Sequence, residues 1–427
     1  MLKVDFSHLL IRRNIVATIL LIEVVFLSIK LVDAWYTKSV EKLIPIFGPV
    51  FDPPWQADGT LYISKPIWGV HYFGDLQDLM TSASWANPWG KSPTQHLPLG
   101  IGLISLLGVF GINSTFILFV AGMIVLFVFV IQTWMASETF ESKVVFVIAM
   151  LLLNHSSFWV VDRGSLLFYA LAILLLAFYR FLILNRANLT TALLIAIAVS
   201  LKTFMVFPLC FFLFVGKNRV KFLGLVLICL TTLNFGAMYS YEGSIFANFE
   251  RFISTTLNYG NEYVVSDTSQ AGASFYRLVI EASKRYGLFE GGSPYLGPVS
   301  ATLWLILVGV VLANSRTPIW MKLIAAFSTV QMVLPAGPYT MAWNFIPLLV
   351  MPKNKYANTK YVEFERFEQT KHSAILRVLI TLAVLVACLP FDMRFWLSPL
   401  LWTLVLVWMA LSRSTLQNFR RFKVKLS

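Results

Sequence analysis

The chain has 427 residues, of which 58% are hydrophobic and 13% charged, with a mean hydropathy of +0.73. That balance excludes an ordinary soluble domain, because apolar runs close to the ~20 residues that cross a bilayer as a helix recur along its whole length. The formal net charge of +13 does not mark a nucleic-acid surface: Lys and Arg collect in short segments between apolar runs, as charges anchoring the cytoplasmic ends of spans do.

Met1 to Arg13 is short and basic, which places it in the cytoplasm. The run from Asn14 to Ala34 reads as a retained first span. It is long for a signal peptide, contains Glu23 and Lys30, and has no small-residue cleavage site before Trp35. Residues 35–95 are then an extracytoplasmic loop, broken by Pro45, Pro49, Pro53, Pro54 and Pro66 and expected to hold short interfacial helices. Its tryptophans Trp55, Trp68, Trp85 and Trp89 suit the headgroup level, where an indole meets both water and hydrocarbon.

Within this loop the segment Trp68 to Lys91 carries Asp75 and Asp78, three residues apart. Gly74-Asp75 followed by LQDLMTSASWA has the pattern of a helix start, with Asp75 as N-cap and Asp78 favoured by the helix dipole. A carboxylate seated there is also oriented and accessible, so a structural and a chemical role are compatible.

Further along, Pro98 to Phe110 is short for a span, and a second run extends from Gly111-Ile112-Asn113 to Trp134. A small polar loop, Ser137 to Lys143, leads to a span ending near Val161, and Asp162-Arg163-Gly164 precedes another to Leu184. The run Ala192 to Val215 is interrupted by Lys202 and Pro208. A lysine in mid-run beside a proline predicts a broken helix lining a polar cavity, since exposing the ammonium to lipid is costly. Basic Gly216 to Lys221 is placed in the cytoplasm, and Phe222 to Tyr239 returns outward.

Residues 240–297 form a second large extracytoplasmic loop, with Arg251, Arg277, Lys284 and Arg285 among Tyr, Ser and Gly, and this loop too is expected to carry short interfacial helices. At least two runs follow around the break Pro335 to Tyr339. A mixed-charge cytoplasmic loop covers residues 352–373, and the last runs, Ile375 to Leu389 and Trp396 to Leu411, precede a basic cytoplasmic tail. The expectation is therefore an all-α, polytopic transmembrane helical bundle of about 10–12 spans. It is read as one integral membrane domain of the bacterial inner-membrane kind, with both termini cytoplasmic.

Three groups are expensive or reactive in such a setting: the Asp75 and Asp78 pair, Asp162-Arg163, and Lys202. A carboxylate on an outer loop with cations from two helices suits transfer of a sugar from a lipid phosphate to a hydroxyl. The carboxylate takes the acceptor proton and the cations hold the departing phosphate. The bland alternatives are an interfacial anchor for Arg163, snorkelling beside Asp162, and an internal ion pair for Lys202. His71 and Tyr72 are positioned to contact sugar hydroxyls or to pack in an aromatic belt, and Trp89 to stack on a sugar or anchor at the headgroups. The cysteines Cys210, Cys229 and Cys388 lie far apart in apolar runs and give no metal spacing; no metal or cofactor is expected.

These residues resemble the GT-C membrane glycosyltransferases that use polyprenyl-phosphate sugars, and among them the family 87 mannosyltransferase-like proteins. Gly74-Asp75 with its following helix and Asn87-Pro88-Trp89 are similar to the family's GD start of the first external loop and its N-P-aromatic turn. His96-Leu97-Pro98-Leu99 is similar to the aromatic-Pro-Pro segment opening the next helix. Asp162-Arg163-Gly164-Ser165, a span, and Ala198-Val199-Ser200-Leu201-Lys202 with Pro208 resemble the R-G-N, span, L-A-x-x-L-K-x-x-P progression. Ser165 stands for the usual Asn, and Pro208 comes late.

The resemblance covers roughly the N-terminal half. It implies Asp75 as general base, an inverted anomeric centre, a polyprenyl-phosphate hexose donor (mannose for this family), and a glycan or glycolipid acceptor. Arg163 and Lys202 would face the donor phosphate. Arg277, in the second large loop, is a candidate to shape the acceptor site on its position alone. Competing readings are an O-antigen-type polymerase, in which Arg277 outweighs Asp75, and a lipid-linked-saccharide flippase or transporter, whose paired broken helices in two related halves are not evident in the sequence.

Overall fold

The computed structural model describes residues 12–37, 76, 96–110, 112–152, 154, 156–157, 160, 164–216, 218–259, 274–276, 278–279, 282, 296–315, 317–333, 338–350, 371–388 and 394–411. Among them the protein is all-helical, with 87% helix, no strand and 14 α-helices. It divides into two compact units, one of residues 24–206 and 216–271, the other of residues 1–23, 207–215 and 272–427.

The first helix among the described residues is α1 (Arg12–Thr37), which takes in the two arginines expected just outside the first run. In the first of these units, α2 (Pro98–Gly108) is 11 residues long and has its proline in the first helical turn, where a missing N–H costs nothing. At about 1.5 Å per residue it is too short to cross a bilayer. It is followed by α3 (Ile112–Trp134) and α4 (Phe140–Val147), which continues as a π-helical turn over Ile148–Leu152. The sequence pattern put Ser137 to Lys143 in a loop, yet α4 starts inside it. The Thr139 side chain accepts from the Ser142 N–H, and Glu141 occupies the first turn, where the helix dipole favours it.

The helices α5 (Leu167–Leu182) and α6 (Leu189–Leu201) pack side by side, joined by a polar turn in which the Asn188 side chain caps α6 by accepting from the Thr191 N–H. Then α8 (Arg219–Ser240) packs against α6 and touches α2, and α9 (Ile245–Tyr259) packs against α8. Between α6 and α8 the chain runs as a 3-10 helix over Thr203–Cys210, containing Pro208, and a single α-turn, α7 (Phe211–Phe214). The interruption read from Lys202 and Pro208 is thus present.

Among the described residues two helical stretches are long and apolar enough to cross a membrane, Ile117–Trp134 within α3 and Arg219–Ser240, which is α8. Only 28% of each is buried inside the protein, so most of their apolar surface faces outward. Val125, Phe129, Leu227 and Ile228 are among the exposed side chains. The other apolar helical stretches among the described residues, such as Asn14–Phe26 and Ile375–Cys388, run 10–17 residues.

The second unit holds α10 (Leu296–Ala313), α11 (Ile319–Met332), a 3-10 helix over Pro338–Asn344, α12 (Phe345–Val350), α13 (Lys371–Cys388) and α14 (Arg394–Leu411). α13 lies along α14, and the 3-10 helix packs against α11 and α13. A fully buried polar network joins three of these elements. Trp343 donates its indole N–H to Gln331 Oε1 at 2.8 Å, and Trp402 donates to Asn344 Oδ1 at 2.7 Å. Asn344 donates to Gln331 Oε1 at 3.3 Å, and Gln331 to Ser398 Oγ at 3.4 Å. In a helical protein with apolar surroundings such bonds fix which helices pair, because each member left alone would be an unsatisfied polar group.

Candidate functional site

The site is built around the end of α6. Its last turn is loosened by Ser200, whose hydroxyl donates back to the Ala196 carbonyl at 2.8 Å. Lys202 then leaves the helix with an extended backbone, φ −145° and ψ 111°, although its N–H still reaches the Ala198 carbonyl at 3.1 Å. The 3-10 geometry that follows gives the Leu201 carbonyl no helical partner of the ordinary kind. His96 supplies one: its Nδ1 lies 2.8 Å from the Leu201 oxygen. A carbonyl only accepts, so Nδ1 carries the proton and Nε2 is left as the other functional atom of the ring.

α8 closes the same break from the other side. Asn234 donates its amide to Ser200 Oγ at 2.9 Å and to the Leu230 carbonyl at 2.8 Å, while its Oδ1 accepts from the Leu99 N–H at 3.1 Å. Leu99 is in the first turn of α2, where amides have no intrahelical acceptor, so Asn234 works as a cap borrowed from another helix. The Tyr241 hydroxyl donates to the Pro98 carbonyl. The start of α2 is thereby tied to α6 and to the far end of α8.

Close approach makes this possible. A Cβ on Gly100 would stand 2.3 Å from the Ser200 carbonyl oxygen, and one on Gly102 would stand 2.8 Å from the Tyr241 hydroxyl. The first obstacle is backbone and cannot swing away. Gly100→Ala is therefore expected to push α2 off α6 and cost about 1–3 kcal/mol, as overpacking does. The unfolding temperature in detergent checks this, with Gly224→Ala, whose Cβ meets nothing within 4 Å, as the tolerated control.

Lys202 itself is 2% exposed. Its ammonium lies 6.0 Å from the centre of the Phe204 ring, at the outer edge of a cation–π contact. A buried cation at a helix break is the kind of group that attracts an anion in an apolar setting, while the imidazole, amide and hydroxyl described above hold the backbone of the break.

Of the residues singled out in the sequence, Lys202 is the one the structure places. Asp75, His71, Tyr72, Asp78, Trp89, Asp162, Arg163 and Arg277 lie outside the described residues. Leu76, which follows Asp75, is helical and buried. Gly164, which follows Arg163, takes a left-handed backbone with φ 65°, and Ser165 donates its N–H to the Val160 carbonyl at 2.9 Å. The Ser165 hydroxyl is buried without a hydrogen-bond partner.

Sequence reasoning missed Asn234 as a partner of the break and Tyr241 as a tether of the start of α2. The signal for Asn234 was present, an amide in the middle of an otherwise apolar span, which is costly unless it bonds across helices. Among the described residues no three His, Cys, Asp or Glu side chains gather as metal ligands would. Comparison of the chain with models of known protein families, with characterised proteins and with solved structures gives no match.

Proposed function

We propose that this protein is a polytopic membrane glycosyltransferase of GT-C type with about 10–12 spans. It transfers a hexose, mannose on the strength of the family resemblance, from a polyprenyl-phosphate donor to a glycan or glycolipid acceptor. The reaction takes place on the extracytoplasmic side of the cell membrane. The observation that carries the proposal is Lys202: a lysine 2% exposed, at the break of an apolar helix whose loose end is held by His96 and Asn234. A structure built only to fill space has no reason to keep an ammonium there, and intramembrane charges are functional by default.

In the proposed reaction the acceptor hydroxyl oxygen attacks the anomeric carbon while Asp75 removes its proton. The bond from that carbon to the phosphate oxygen breaks on the opposite face, inverting the centre, and polyprenyl phosphate leaves. Lys202 and Arg163 stabilise the charge growing on the leaving phosphate, the role for which positioned cations are most effective in a dry site. Phosphate needs no proton to depart, so one carboxylate serves as base and no second acid is required. His71, Tyr72, Asp78, Trp89, Asp162 and Arg277 are assigned to the walls that hold the sugars.

Incubation of purified protein with radiolabelled polyprenyl-phosphate mannose and a crude acceptor fraction tests this, comparing the parent chain with Asp75→Asn. Label is expected in the acceptor with the parent and at least about 10²-fold less with the variant, given what a general base contributes. Equal transfer by both chains would remove Asp75 from the mechanism. Movement of the lipid-linked sugar across vesicles without a new glycosidic bond would instead make the protein a transporter.

A further inference from the structure

We infer that α9 is an in-plane membrane helix: it lies at the boundary between lipid headgroups and acyl chains and holds to it by its apolar side alone. The inference rests on the proposal that α3 and α8 span the bilayer, and adds to it a second kind of lipid contact.

The helix starts for local reasons. Gly243 takes φ +95°, ending the line of α8, and the Ser244 side chain caps the new helix by accepting from the Ala247 N–H at 3.2 Å. Ile245, Phe246, Phe249, Phe252 and Ile253 then recur at helical spacing on one side, with Glu250, Arg251 and Ser254 on the other. At 15 residues it is about 22 Å long, less than the ~30 Å of a hydrocarbon core, and its polar side forbids crossing.

One edge of the apolar side is used internally. Ile245 and Phe252 pack on the cluster of Ile101, Met238 and Tyr241, and Asn248 donates to the Met238 carbonyl at 3.1 Å. The rest is open: Phe246 is 81% exposed, and Phe249 and Ile253 are exposed as well. What covers this remainder follows from its continuity with α8. The Phe249 ring stacks on Phe235 of α8 at 6.1 Å and 16°, so the open side of α9 extends the outward-facing apolar stripe of a membrane-crossing helix.

Depth agrees with this. Tyr239, near the end of α8, is 83% exposed and suits the headgroup level. Phe235 lies one turn deeper, about 6 Å at 1.5 Å per residue, which falls within the ~5–10 Å to which the apolar face of an interfacial helix sinks. Glu250 and Arg251 cancel, so the attraction comes from apolar area rather than from anionic lipid.

Single nitroxide labels test the assignment, in a chain whose three cysteines are replaced by alanine and which is reconstituted in phosphatidylcholine vesicles. Phe246→Cys and Ile253→Cys are expected to collide with oxygen several-fold more, relative to a water-soluble nickel reagent, than Arg251→Cys and Ser254→Cys, and at a shallower depth than a Val125→Cys label on α3. The same depth is expected after phosphatidylglycerol is added. Water-like collisions at 246 and 253, or shielding from both reagents by a second copy or another segment, with the 125 label still in lipid, overturn the inference alone. A 125 label that is not in lipid overturns the spanning proposal and this inference together. A depth that increases with phosphatidylglycerol overturns the apolar basis of the contact.

Discussion

Replacing Trp402 by alanine is expected to cost about 3–5 kcal/mol of stability, the range for truncating a large buried aromatic. The indole is fully buried, its ring centre 4.7 Å from that of Trp343 at 46°, and its N–H is the partner of Asn344 Oδ1 at 2.7 Å. Alanine removes the ring pair and leaves the Asn344 oxygen orphaned. Asn344 also donates to the Met341 carbonyl at 2.6 Å and to Gln331, so its loosening is passed to the 3-10 helix and to α11. Trp402→Phe separates the two losses. It keeps most of the ring and deletes the N–H, and is expected to cost about 1–3 kcal/mol. Unfolding temperatures in one detergent should fall in the order parent, Phe, Ala; an alanine variant within about 1 kcal/mol of the parent would show that this network does not hold α14 in place.

Lys202→Met should do the opposite: little harm to the fold and a large loss of transfer. Methionine preserves the apolar stem that packs below the ammonium and removes a charge whose burial is costly, so thermal stability is expected to stay level or rise. On the proposed mechanism the leaving phosphate loses one of its two cations, and the rate of mannose transfer drops about 10²–10³-fold. Lys202→Arg keeps the charge but not the compact head and should recover part of the activity. The alternative role, a structural ion pair, predicts the reverse pattern: a less stable Lys202→Met chain with transfer retained in the fraction that folds.

Much of the helical layout was legible because apolar length and breakers set it. Lys202 and Pro208 in one run foretold the interruption after α6, and the Pro98 run, read as short for a span, is a helix of 11 residues. The start of α4 was misread, since Thr139 and Glu141 count as polar loop residues in a hydropathy profile and as a cap and first turn in a helix. The partners of the break were hidden for a different reason. His96, Leu99 and Pro98 bond to Leu201, Asn234 and Tyr241 across 105, 135 and 143 residues, and no local period encodes a pairing at that distance. Of the candidate site itself, the position of Lys202 was readable, while the imidazole, amide and hydroxyl that hold the break were readable only as residue types.

Those long separations carry a consequence for biosynthesis. If α3 and α8 span a bilayer as proposed, then while a ribosome is still making α3 and α5, α2 is too short to cross on its own and its first-turn groups have nothing to bond to, so it stays an unfinished piece in the translocation machinery or at the membrane surface. Only after Tyr241 has been synthesised are all three of its tethers available, which makes seating α2 a late assembly step that waits on the completed α8. A nascent chain arrested short of residue 241 should therefore leave Gly100 open to a membrane-impermeant or lipid-borne thiol probe at an introduced cysteine, and the same site should fall silent once translation passes that point.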